Sequence, residues 1–123
     1  MSFDEVLKKI VEPCAGSLGA ALMGVDGIPI AQVEGPAAGK DAEDDVAVLS
    51  VELGRILAET QKAADSSGAG ALDEISVQME RFSAVLRRVD AETYLVVVLE
   101  PGANAGRARF DIRRRLLEIR EQL

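Results

Sequence analysis

Residues 34–44, EGPAAGKDAED, hold a Gly-Lys pair between a segment that reads as a strand and one that reads as a helix. That is where a phosphate-binding loop would sit. Such a loop needs G-x-x-x-x-G-K-[ST], so that backbone amides wrap the phosphates, the lysine reaches the outer ones and a hydroxyl holds magnesium. Here Gly35 and Gly39 are one residue too close, Pro36 removes an amide donor, and Asp41 follows Lys40 where the hydroxyl belongs. A carboxylate there repels phosphate, so the stretch reads as an acidic loop before a helix. The cluster Asp41, Glu43, Asp44 and Asp45 could in principle bind a hard cation. Acidic residues in a first helical turn, however, suit the helix dipole without any metal. The chain has no histidine and a single cysteine, Cys14, which excludes His-based triads, the usual soft-metal sites and an internal disulfide. Cys14 reads as a small buried apolar residue. No catalytic residue, cofactor or metal is expected, and the chain is read as a non-enzyme.

Composition points the same way. Apolar residues make up 48% of the 123, but aromatics only 3%, so the core must be built from Val, Leu, Ile and Ala. The formal charge is −7 and stacking platforms are missing, which makes nucleic acid an unlikely partner. The charge is uneven: residues 107–123 carry six arginines against Asp111, Glu118 and Glu121. The N-terminus lacks the order of a signal peptide and the apolar run Leu95 to Leu99 is too short to span a bilayer, so a cytoplasmic protein is expected.

The elements that must position any site follow from periodicity. Phe3, Val6, Leu7, Ile10 and Val11 predict an amphipathic helix over 3–12, with Ser2 or Asp4 as cap. Residues 18–34 read as a hairpin turning at Asp26-Gly27, with a type I′ turn expected. From Asp44 to about Asp65 the period is helical and sorts into three faces. Val46, Leu49, Leu53, Ile56, Leu57 and Thr60 should lie on the sheet. Ala47, Ser50, Gly54, Ala58 and Gln61 form a small-residue face that would let another backbone come close. A glycine inside a helix costs about 1 kcal/mol relative to alanine, which gives Gly54 a packing reason. Val48, Glu52, Arg55, Glu59 and Lys62 form the third face, solvated or turned to a partner.

SSGAGA, residues 66–71, stops this helix. Three strands follow: LDEISVQME alternates like a half-buried strand, AVLRRV less clearly, and TYLVVVLE is apolar on both parities, as a central strand should be. Residues 104–123 close the chain as a helix capped by Asn104. Its stripe is Ala105, Ala108, Ile112, Leu116, Ile119 and Leu123, and Asp111–Arg115 and Arg114–Glu118 are expected as outer ion pairs. The order α-β-β-α-β-β-β-α gives an α+β fold, a five-stranded antiparallel sheet sandwiched between helices.

With that order, the chain resembles the Roadblock family, the dynein light-chain relatives that include the bacterial MglB-like regulators of small Ras-like GTPases. The likeness rests on the hairpin GAALMGVDGIPIAQV, the acidic loop into a long helix, the strand DAETYLVVVLEP and the closing NAGRARFDIRRRLLEIREQL. It covers nearly the whole chain, so a single Roadblock-like domain over 1–123 is expected, of the Roadblock/profilin-like type. The resemblance implies a homodimer in which two long middle helices pack side by side and the third strands join the sheets. Its interface would be Ala47, Ser50, Gly54, Ala58 and Gln61 with Ile75, Val77 and Met79. It also implies a regulator that binds a small Ras-like GTPase through a surface such as Val48, Glu52, Arg55, Glu59 and Lys62 and alters its nucleotide cycle. The alternative is a dimeric scaffold or adaptor subunit of a larger transport or signalling complex with no effect on GTP turnover.

Overall fold

The computed structural model describes residues 2–123. Helix α1 spans Phe3–Val11, and the Ser2 side chain accepts from the Glu5 amide. Strands β1 (Ser17–Gly24) and β2 (Pro29–Glu34) form the hairpin, helix α2 runs Ala42–Ser67, strands β3 (Glu74–Gln78), β4 (Ser83–Arg88) and β5 (Thr93–Leu99) follow, and α3 spans Ala105–Gln122. The sheet is antiparallel throughout in the order β2-β1-β5-β4-β3. β5, apolar toward both faces, is the middle strand and is buried along its length. This is the α+β sandwich expected from the sequence.

The hairpin turn differs from the expectation. A type I′ turn needs two left-handed residues, yet only Gly27 (φ 87°) has a positive φ there. The Gly27 amide donates to the Gly24 carbonyl and the Gly24 amide to Ile28, making a three-residue loop, and Asp26 Oδ1 accepts from the Ile28 amide. Asp26 therefore shapes the turn through its side chain, with its own backbone on the ordinary side of the map.

Each face of the sheet has its own core. Val6, Leu7 and Ile10 of α1 and Ala108, Ile112 and Ile119 of α3 pack on one face against Leu22, Val85, Leu95 and Val97. On the other face Val46, Leu53 and Leu57 of α2 meet Ala21, Met23, Leu86, Tyr94 and Val96. The ion pairs expected outside α3 are rearranged. Asp111 is buried and is held at 2.7 Å by Arg107, one turn before it instead of one turn after, while Arg115 pairs with Glu118 at 2.9 Å.

The rotation of α2 is the main departure from the helical-wheel reading. Ser50 is fully buried and Ile56 is 46% exposed, so the buried sector is turned toward the small-residue face. Tyr94 is the cause. Its ring rises from β5 into the space that Gly54 leaves open, and its hydroxyl donates to the Ser50 carbonyl at 2.9 Å. A Cβ on residue 54 would overlap that hydroxyl. Burial, and then the charge of Asp26, push the phenol above its ordinary range.

Gly54→Ala should therefore lower stability by about 1–3 kcal/mol through overpacking, despite alanine's better helix propensity. The same substitution in a Tyr94→Phe background should cost measurably less, as urea denaturation of the four proteins would report.

Candidate functional site

The acidic loop is tied down at its start by β1. The Gly35 amide donates to the Leu18 carbonyl and the Ala37 amide to Ser17, so two donors that a phosphate cradle would use are already engaged. Glu43, Asp44 and Asp45 lie in the first turn of α2. Consecutive helical residues splay by about 100°, so these carboxylates point apart. Among the described residues no group of three or more acidic, cysteine or histidine side chains is placed to hold a metal.

Cys14 is buried, its thiol facing the Asn104 carbonyl at 3.8 Å. Burial holds it above the usual thiol range. It is a packing residue, as expected for a small apolar side chain.

What the fold does assemble is an apolar groove beside α2. This helix lies over β1 and touches β2 and β5. The same face of β3 is less covered, and Ile75 and Val77 there, with Phe82 in the turn before β4, are only partly buried. Leu49 packs against the same cluster from α2 and Ile56 lies two turns further along that flank. Met79, just past the end of β3, is 37% exposed, its amide donating to Phe82. β3 is one of the two edge strands, and its free edge borders the groove.

That edge is fastened by charge on the opposite face of the sheet. The Glu74 carboxylate, 15% exposed, lies 3.4 Å from both Arg109 and Arg113 of α3 and 3.9 Å from Arg87 of β4. Two arginines of the basic helix are in this way spent on holding the edge strand. Arg120 is likewise occupied, its Nε donating to the Val89 carbonyl at 2.7 Å.

The residues expected at a dimer contact divide in four. Ala47 and Ala58 are exposed; Ser50 is buried on the chain's own sheet and Gly54 is closed by Tyr94, so neither has a face to offer. Gln61 is structural: its carbonyl oxygen accepts from the Leu72 amide and Arg88, and its amide nitrogen donates to Asp65. Ile75, Val77 and Met79 do lie together, along the groove. Within the small-residue face, Ser50 and Gly54 serve an internal fit while Ala47 and Ala58 stay on the surface, and Leu49 and Ile56 lie on a different flank of α2. Spacing alone assigns Ile56 to the core; only the rotation set by Tyr94 turns it outward.

The five residues of the third face, Val48, Glu52, Arg55, Glu59 and Lys62, are all exposed. Val48 is 62% exposed, and the charges pair along the helix, Arg55 with Glu52 at 3.3 Å and Lys62 with Glu59 at 3.2 Å. Exposed pairs of this kind contribute little to stability and leave the face open.

No protein-family model matches the sequence, and no curated protein matches it. Solved structures do. The Roadblock/LC7 domain from Streptomyces avermitilis superposes with a TM-score of 0.78 at 17% identity, covering 99% of this chain and 98% of that one. MglC from Myxococcus xanthus gives 0.70 at 29% identity over the whole of both chains. The gliding protein MglB from Thermus thermophilus gives 0.77 at 24%, covering 91% of this chain and 81% of that one. Among the described residues no helix is long and apolar enough to cross a membrane.

Replacing Glu74 by Gln would leave three arginines around an uncharged amide, and the expected loss is about 1–3 kcal/mol by denaturant titration. Cys14 should resist iodoacetamide in the folded protein and react fully once the chain is unfolded in urea, as followed by mass spectrometry.

Proposed function

Starting from a chain whose structure matches the Roadblock/MglB-like family, we propose that residues 1–123 form one Roadblock-like domain that pairs with a second copy and acts without chemistry of its own. The pair regulates a small Ras-like GTPase. The observation that carries this reading is the half-covered groove. A second copy related by a two-fold axis would lay its α2 flank over Ile75, Val77 and Phe82 and set the two β3 edges side by side, satisfying both in one step. The paired α2 helices would then present two copies of the Val48, Glu52, Arg55, Glu59 and Lys62 face as one composite surface. A surface of that kind influences a nucleotide from outside by favouring one arrangement of the switch loops of the GTPase that holds it. The full-length likeness to MglC and the likeness to MglB support the choice of a GTPase as partner.

Sedimentation at micromolar concentration should find a dimer. Ile56→Asp, at an exposed position, should change folding stability by no more than about 0.5 kcal/mol yet yield monomer. A wild-type monomer would overturn the pairing. The regulatory role is tested by adding the purified dimer to small Ras-like GTPases encoded in the same genome. The expected result is a change in GTP turnover of about tenfold or more for one of them, equivalent to about 1.4 kcal/mol in a barrier. Val48→Glu should abolish that change. Binding with unaltered turnover would assign the scaffold role instead, and no binding to any of them would sink the GTPase reading.

A further inference from the structure

α2 and α3 lie on opposite faces of the sheet, and their outward sides are built as opposites. On α3, Phe110 is 51% exposed and Leu117 is 65% exposed, two turns apart on one line. Arg107 and Arg114 lie against the Phe110 ring, their guanidinium carbons 5.7 and 5.4 Å from its centroid. Arg114 meets no carboxylate among the described residues, and Arg113 shares the single carboxylate of Glu74 with two other arginines. The result is an apolar centre with a cationic rim, the anatomy of a protein contact surface.

The outward side of α2 has the complementary make-up. Val48 and Val51 are 62% and 39% exposed, the exposed Asp44 and Glu52 lie on the same side of the helix, and Arg55 beside them pairs with Glu52 at 3.3 Å. No basic residue occurs between Lys40 and Arg55. Aliphatic centre faces aromatic and aliphatic centre, and acid faces arginine, but the two surfaces point in opposite directions and cannot meet within one chain.

We infer that the Phe110–Leu117 face of α3 docks onto the Val48 face of α2 of another copy, front to back. A contact between two different patches of the same chain is heterologous, so it repeats and builds a stack. The net charge of −7 opposes it at long range. Near 0.1 M salt, where the Debye length is about 10 Å, that repulsion is damped while charges in direct contact still attract. Because the stack would cover the face assigned above to the GTPase, self-association and partner binding would compete.

The test is sedimentation velocity of the full chain, from about 10 μM to about 1 mM. At about 0.1 M salt the weight-average mass should rise with concentration beyond the dimer, and at about 1 M, where screening acts within about 3 Å, it should return to the dimer. The groove pairing is apolar and should survive the higher salt. Arg114→Glu and Glu52→Arg, both at exposed positions, should each abolish the larger species while keeping the melting temperature. An equimolar mixture of the two variants should restore it, since each contact between one variant and the other joins opposite charges. The same series in an Ile56→Asp background separates this contact from the groove pairing. Mass that never exceeds the dimer at about 0.1 M salt would overturn the inference. So would larger species that neither substitution reduces, or a mixture that fails to recover them.

Discussion

The seat of Tyr94 under α2 is the constraint on which the rest of this structure turns. A phenol on the central strand needs both room and an acceptor. Gly54 supplies the room and the Ser50 carbonyl the acceptor, at 2.9 Å. Because both lie on one side of the helix, the helix can sit on the sheet in only one rotation. An interior packed to crystal-like density leaves no slack to absorb a different one. That rotation buries Ser50 and turns Ile56 out.

From that rotation follows the division of the surface. α2 rests on β1 with β2 and β5 to its sides, and the edge strand β3 carries apolar side chains, Ile75 and Val77, that are left partly open. An edge strand with such a flank needs to be held in place. The Glu74 cluster does this from behind, drawing on arginines of α3. The closing helix therefore acts on both sides of its own surface, clamping β3 with Arg109 and Arg113 and presenting Phe110 and Leu117 to solvent.

Charge is distributed along the same lines. Glu43, Asp44 and Asp45 at the start of α2 suit the partial positive charge of the helix N-terminus, which gives them a local reason to exist. The arginines of α3 sit on the other face of the sheet, so acid and base that alternate poorly in sequence are sorted into layers in space. In the loop that leads into α2, the amides of Gly35 and Ala37 are held by β1 carbonyls.

Local rules were enough to read the elements of this protein, since periodicity, caps and turn residues act over a few neighbours: Ser2 and Asn104 as caps, the alternation of β3, and the two-sided burial of β5 all stand as the residues predict. The α+β order followed from the same signals. What sequence alone could not supply was the partner of each side chain across the fold. A helical wheel shows that Gly54 is special but not that a tyrosine forty residues away fills its space. It pairs Asp111 with Arg115 by spacing, whereas in the fold the buried Asp111 is held by Arg107. It groups Ile56 with the core because its period fits, although the exposed flank is decided by a hydroxyl on another strand. Tertiary packing made those choices, because steric fit and buried hydrogen bonds depend on atoms distant in the chain, and those distances exist only after it has folded.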